Sequence, residues 1–303
     1  MRELIAGTRG SALALAQTRW VADRLQALSP GLTVRTEIIR TTGDALPDQP
    51  LSRITDKGLF TRELGAALMA GRIHLAVHSL KDLPTDSAPG LTIAAVTERE
   101  DVRDVLVSWR NQGLDDLPAG SRVGTSSPRR MAQLLARRPD LNVAGIRGNV
   151  DTRLRKALSG EYDAVVLAAA GLRRLGLADQ VTQYLTLEVM LPAVGQGALA
   201  IEARSDDTET LALVAGLQHQ PTRLATDAER SFLRALGGGC RMPIAAYAEV
   251  RGADLTLRGL IASADGRSVR RGELAGRADQ AAEIGRELAR RLVAQPSVGT
   301  FPT

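Results

Sequence analysis

The sequence predicts two α/β lobes followed by a smaller α+β domain. Three observations carry that expectation. Short apolar runs alternate with helical stretches through the first hundred residues or so, and the alternation restarts after about residue 100. The last third then changes to closely spaced strand-like runs closed by one charged amphipathic helix. A β-α-β-α-β order implies a mostly parallel sheet with helices on both faces. A chain of 303 residues is long enough for two or three domains at roughly 100–200 residues each.

In the first lobe, Glu3–Thr8 reads as a strand, and Ser11 stands where it can cap a helix from Ala12 to about Leu28. Val34–Arg40 follows as a strand, Arg62–Ala70 as a helix and Ile73–Val77 as a short buried strand. Leu91–Val96 and Val105–Val107 are β-like. In the second lobe Arg122–Gly124 ends a strand, and Ser127 and Pro128 suit the N-cap and first position of a helix reaching Arg138. Asn142–Ile146 reads as a strand, Val150–Leu158 as a helix and Ala164–Leu167 as a buried strand. Leu199–Glu202 is placed to return to the first sheet. That makes the first lobe discontinuous, residues 1–97 with 198–216, around a second lobe of 98–197. Residues 217–303 open with a helix, Thr222–Leu236, and the loop Gly237-Gly238-Gly239-Cys240. The runs Ala245–Val250, Leu255–Ile261 and Val269–Leu274, parted by Gly252 and Asp265-Gly266, predict a three-stranded antiparallel sheet. A helix from about Asp279 to Val293 closes it.

Composition narrows the class. Hydrophobic residues make up 44% and charged residues 24%, ordinary for a soluble globular chain. No apolar run approaches the roughly 18 residues a membrane span needs. The stretch Met1–Arg9 is charged too soon for a secretory signal, so the expectation is a cytoplasmic protein. One cysteine excludes an internal disulfide framework. With only His74, His78 and His219 beside it, no metal site is expected.

Charge is more informative in its distribution than in its total of +5. Only Lys57, Lys81 and Lys156 of the 39 cationic residues are lysines. Nine basic and two acidic residues fall between Ser121 and Lys156. A guanidinium binds carboxylate or phosphate through two parallel N–H groups, so such a window suits an anionic ligand; a solvated basic face is the other reading. Three strand-to-helix junctions favour the ligand. Gly124-Thr125-Ser126-Ser127-Pro128-Arg129-Arg130 gathers free backbone N–H groups, hydroxyls and two guanidinium groups at a helix N-terminus. Arg147-Gly148-Asn149-Val150-Asp151-Thr152-Arg153 repeats the theme, and Thr8-Arg9-Gly10-Ser11 offers a third. Nucleic acid is disfavoured as the partner, because aromatics are 3% of the chain and leave few stacking platforms.

Two further segments bear chemistry. Lys81 and Asp82 follow the strand Ile73–Val77, at the carboxyl end where α/β folds hold active groups. A carboxylate there can move protons or stabilise a developing cation; an inconsequential ion pair is the alternative. The triple glycine before Cys240 leaves room for a sizeable group on sulfur, and Arg234 and Arg241 favour the thiolate. Free cysteine is otherwise often an inert buried hydrophobe.

These segments, with Lys57-Gly58-Leu59-Phe60, His78-Ser79-Leu80-Lys81-Asp82-Leu83-Pro84 and Leu191-Pro192-Ala193-Val194-Gly195-Gln196-Gly197, resemble the porphobilinogen deaminase (hydroxymethylbilane synthase) family along nearly the whole chain. The resemblance implies two lobes like those of periplasmic binding proteins, a smaller C-terminal domain, and a monomer. It implies a dipyrromethane cofactor bound to Cys240 through a thioether, on which four porphobilinogen molecules are joined head to tail with loss of ammonia. Asp82 is then the central catalytic carboxylate. Lys81, Asp82, Thr125, Ser127, Arg129, Arg130 and Arg153 hold the cofactor; Arg9, Ser11, Gln17, Arg147, Arg153 and Arg174 hold substrate rings. Arg53, Lys57 and Phe60 belong to a lid loop, with Arg53 standing where many members carry lysine. The chemistry agrees: each pyrrole carries an acetate and a propionate, which arginines neutralise, and ammonia loss leaves an electron-deficient ring that a facing carboxylate stabilises.

Overall fold

The computed structural model describes residues 2–42, 61–238 and 242–295. Two compact units emerge, residues 1–100 with 197–223, and residues 101–196 with 224–303.

The first unit is built on a five-stranded sheet. Strand β1 (Arg2–Thr8) leads through helix α1 (Ala12–Leu28) to β2 (Leu32–Ile38), and α2 (Arg62–Met69) leads to β3 (Leu75–Ser79) and β4 (Leu91–Val96). A strand from the far side of the sequence, Leu199–Arg204, inserts between β3 and β4 and pairs antiparallel with both. The remaining strands that pair directly, β1 with β2 and β1 with β3, run parallel. β3 begins and ends two residues later than the apolar run suggests, so it carries His78 and Ser79. Both faces are covered, as a central parallel sheet requires. Val21 and Leu25 of α1 pack on Leu4, Leu75, Val77 and Ile201. Leu64 and Leu68 of α2 pack with Ile73 and Ala76 on the opposite face.

The second unit repeats this plan. Strands β5 (Asp104–Ser108), β6 (Arg122–Gly124), β7 (Asn142–Ala144), β8 (Ala164–Ala168) and β9 (Gln183–Tyr184) form a sheet in the order β7-β6-β8-β5-β9. Helices α3 (Pro128–Arg137), α4 (Val150–Leu158) and α5 (Ala169–Arg174) connect them. β6 pairs parallel with β7 and β8, whereas β5 runs antiparallel to its neighbours. Alternation of side chains along β5 and β8 sends Val105, Val107, Val165 and Leu167 to one core and Leu106 and Val166 to another.

The inserted strand of the first sheet is β10, followed by α6 (Thr208–Val214) and α7 (Gln220–Ala235). In the second unit β11 (Ile244–Arg251), β12 (Asp254–Ala262) and β13 (Val269–Arg277) form an antiparallel meander, and α8 (Ala281–Ala294) ends the described chain. Phe232 of α7 and Ile284, Leu288 and Leu292 of α8 pack on Ala246, Leu255 and Leu257. Glu229 of α7 is fully buried, its two carboxylate oxygens accepting the backbone N–H groups of Gly195 at 2.7 Å and Ala248 at 2.8 Å. The carboxylate thereby ties helix, sheet and the Leu191–Gly197 segment together.

Candidate active site

In the first unit, the carboxyl end of β3 turns directly into a 3-10 turn, Leu80–Asp82. Sequence alternation sets what this turn presents. Leu80 and Leu83 are buried with Val96 and Ala200, and the Leu80 N–H donates to the Ala198 carbonyl at 3.0 Å. Pinned at both apolar positions, the turn leaves Lys81 half-buried and Asp82 exposed. At the neighbouring junction, β1 delivers Arg9, and Ser11 caps α1 by accepting the Ala14 N–H at 3.3 Å. Gln17, one and a half turns into that helix, is buried and donates to Ser79 Oγ at 3.0 Å. Arg9, Ser11, Gln17, His78, Ser79 and Asp82 consequently line one solvent-open recess. His78 and Ser79 are the members that sequence reading left out of the site. His78 Nε2 lies 3.3 Å from the Glu202 carboxylate on β10, both groups buried.

The second unit carries the arginine junctions. Ser127 caps α3, with Pro128 at the first helical position. Thr125, buried, accepts the Ser127 N–H at 3.2 Å. Ser126 joins this junction to the next one: its Oγ accepts the Ile146 N–H at 3.0 Å and donates to the Ile146 carbonyl at 2.7 Å. There Gly148 adopts φ 109°, open to glycine and strained for other residues, and its carbonyl accepts Arg153 Nε at 2.7 Å. Arg147, Arg153 and Arg174 are all half-buried.

Arg129 and Arg130 turn inward. Only 5% and 6% exposed, they close on Asp104, which is wholly buried at the start of β5. Arg129 Nη1 lies 2.6 Å from Asp104 Oδ2, and Arg130 donates through Nη2 at 2.7 Å and Nε at 3.1 Å to Oδ1. Gln196 Nε2 adds a fourth hydrogen bond at 2.9 Å. Burial pushes the Asp104 carboxyl up, but the two guanidinium charges and their hydrogen bonds outweigh it and hold the group well below the usual carboxylate range. Burial pushes Arg129 down from its ordinary value, with Asp104 opposing. Sequence reading missed Asp104 and Gln196. The one available signal was an acid opening the apolar run Val105–Val107, a position that needs a buried cation.

The junction has donors left over. Arg129 Nε and Arg147 Nη2 are buried and find no acceptor in the protein. A buried N–H without an acceptor costs about 1–3 kcal/mol, so such groups are expected to meet one. Carboxylates of a bound anion satisfy them, and a dipyrromethane, with an acetate and a propionate on each ring, fits this donor set. Cys240, Arg53, Lys57 and Phe60 lie outside the described residues. Among the described residues no cluster of histidine, cysteine or acidic side chains has the arrangement of a metal site, and no helix is long and apolar enough to cross a membrane.

Two α/β sheets with hydroxyls, arginines and a carboxylate at their strand ends define a class: an enzyme acting on small polyanions. Comparison with known proteins makes the class particular. Residues 4–212 match the family model "Porphobilinogen deaminase, dipyromethane cofactor binding domain", and residues 224–294 match "Porphobilinogen deaminase, C-terminal domain". A porphobilinogen deaminase of Syntrophomonas wolfei is 52% identical over 295 residues, covering 97% of this chain and 96% of its own. Another, from Roseiflexus sp. strain RS-1, is 53% identical over 292 residues, covering 96% of each. A periplasmic binding protein of Salmonella typhimurium with high arginine specificity aligns with 72% of this chain and 92% of its own at 12% identity and a TM-score of 0.37. The chain belongs to the porphobilinogen deaminase family. It is a hydroxymethylbilane synthase, a transferase of tetrapyrrole biosynthesis, with a dipyrromethane cofactor-binding domain.

Proposed function

We propose that Arg129, Arg130, Arg153, Thr125, Ser127 and Lys81 hold the carboxylates of a dipyrromethane anchored on Cys240, and that Asp82 is the catalytic carboxylate for joining four porphobilinogen molecules. The observation that carries the reading is the buried Arg129 Nε, a donor without an acceptor inside the segment that matches the cofactor-binding model. When bound, the cofactor supplies the pyrrole carbon to which the first substrate unit is joined. Asp82, exposed on its pinned turn, can accept a pyrrole N–H and stabilise positive charge developing on that ring. Arg9, Ser11 and Gln17, which share its recess, with Arg147, Arg153 and Arg174 of the other unit, are the substrate-binding groups. A thiolate suits the anchor because sulfur adding to an electron-deficient methylene gives a thioether that water does not readily break.

The chain works in this reading as three domains, residues 1–97 with 198–216, 98–197, and 217–303. The separate core under the β11–β13 meander supports the third. The protein acts as a monomer in the cytoplasm, where a lone thiol stays reduced. Exposed large apolar residues of the described chain, such as Trp20 of α1, Met69 of α2 and Val293 of α8, are 39–60% accessible and spread over different elements.

Intact mass spectrometry tests the anchor. Purified protein is expected to carry two pyrrole units that Cys240→Ser lacks. An adduct on that variant, or a bare wild-type chain that remains bare and inactive with porphobilinogen, overturns the reading.

A further inference from the structure

We propose that Asp104 is a positioning residue: its buried carboxylate orders the Arg129–Arg130 pair so that the open edge of Arg129 meets a ligand carboxylate. The inference rests on the reading of those arginines as cofactor ligands.

The two oxygens of Asp104 are divided between the two guanidinium groups. Oδ2 takes Arg129 Nη1, and Oδ1 takes Arg130 Nε and Nη2 together with Gln196 Nε2. Backbone carbonyls complete the hold, Leu191 on Arg129 Nη1 at 2.8 Å and Val166 on Arg130 Nη1 at 2.9 Å. Arg130 is engaged through all three of its nitrogens. Arg129 is engaged through Nη1 alone; its Nε is buried without an acceptor, and its Nη2 makes no hydrogen bond within the protein. Those two nitrogens form the side-on fork by which a guanidinium binds a carboxylate through two parallel hydrogen bonds. Arg129 is 5% exposed, so this fork is built into the fold and cannot be relaxed by swinging into water.

Charge gives the same answer. Two guanidinium groups against one carboxylate leave one positive charge in surplus at a buried place, an unfavourable arrangement that one ligand carboxylate cancels. Without Asp104 the surplus would be two, and the like charges of adjacent residues would drive the side chains apart. Side-chain length matters as well. Asp104 sits at the first residue of β5, where its short side chain fixes both oxygens. One more methylene, as in glutamate, would shift the acceptors and with them the fork.

The test uses chain produced without porphobilinogen and then supplied with it. In wild type, ¹⁵N spectra should show a slowly exchanging Arg130 Nε–H. Adduct formation, followed by intact mass, should then go to completion. Asp104→Glu keeps the charge and should retain the wild-type circular dichroism spectrum, with adduct formation slowed at least ten-fold. Once loaded, it should show a raised KM for porphobilinogen and a smaller change in kcat. Asp104→Asn should load more slowly still and lose the protected Nε–H signal; if it does not fold, Asp104→Glu decides alone. Loading of the folded variants at the wild-type rate with unchanged KM overturns the proposal. A wild-type chain that takes up no adduct overturns instead the cofactor reading beneath it.

Discussion

The proposed function places one chemical role on Asp82 and another on Cys240. Asp82 stands on a three-residue turn whose flanking leucines are buried, so its carboxylate is held by the backbone and not by a partner that removal would strand. Asp82→Asn should therefore fold with an unchanged melting temperature. Its kcat should fall by about 10²–10⁴, the usual worth of a positioned proton-transfer or charge-stabilising group. Steady-state turnover within a few-fold of wild type would remove Asp82 from the chemistry. Arg129 presents the opposite case, because its charge is part of a buried network with Asp104. Replacing it by methionine deletes the ligand fork and also restores charge balance around Asp104. The variant should lose cofactor loading while keeping a cooperative thermal transition. An adduct at wild-type occupancy in the Arg129→Met chain, read by intact mass, would show that the fork is not used.

At the scale of elements, helix α3 is where packing and function meet. The hairpin joining β12 to β13 places Gly266, at φ 71°, against the backbone of α3. A Cβ there would collide with the Ala132 carbonyl oxygen and stand 2.8 Å from the Ala136 nitrogen. Gly266→Ala must strain the turn or displace the helix that carries Ser127, Arg129 and Arg130. It should cost about 1–3 kcal/mol in urea unfolding, and a loss below a few tenths would mean that the hairpin does not brace α3. Much of this element plan was legible beforehand. α1 begins at Ala12 after the Ser11 cap, α3 begins at Pro128 after the Ser127 cap, and the return of Leu199 onwards to the first sheet was readable from its apolar run. Local signals fix such features, since caps and proline act within one turn. β3 was misplaced by two residues because Ile73 is buried beneath α2 without being part of the ladder, and hydrophobicity alone does not separate the two. The arginine-rich junction was visible in the sequence, but Asp104 was not visible as the counter-charge of Arg129 and Arg130. It lies 25 residues from Arg129, and only the pairing of β5 with β8 brings the acid beneath α3. Gln17 was placed by family likeness; its hydrogen bond to Ser79, 62 residues away, has no local signature.

For the molecule as a whole, net charge and the placement of acids set how it responds to pH and salt. Burial pushes Asp101, Asp104, Asp207 and Glu63 toward higher pKa, yet their hydrogen bonds and neighbouring guanidinium groups prevail and all four are lowered in the folded chain. A lowered carboxyl stabilises the fold above its unfolded value, 3.8 for Asp and 4.5 for Glu, and loses that contribution as pH falls through the folded value. The urea midpoint should hold between about pH 7 and 5 and fall below about pH 4, with a shallower fall in any folded Asp104→Asn chain. A midpoint that rises on acidification would refute the sign. Salt addresses the arginines differently according to depth. The window Ser121–Lys156 carries nine basic residues against two acidic ones, and Arg147 and Arg153 within it are half-buried, where mobile ions reach them. The Debye length shortens from about 10 Å at 0.1 M to about 3 Å at 1 M, so attraction of the substrate carboxylates is screened across that range. Asp104, Arg129 and Arg130 are almost wholly buried and hold each other at 2.6–2.7 Å, beyond the reach of such screening. KM for porphobilinogen should accordingly rise several-fold between about 0.1 and 1 M salt, while kcat and the mass of the covalent adduct stay constant. If KM is flat across that range, substrate recognition does not depend on the accessible guanidinium groups, and Arg147 and Arg153 lose their assigned part in it.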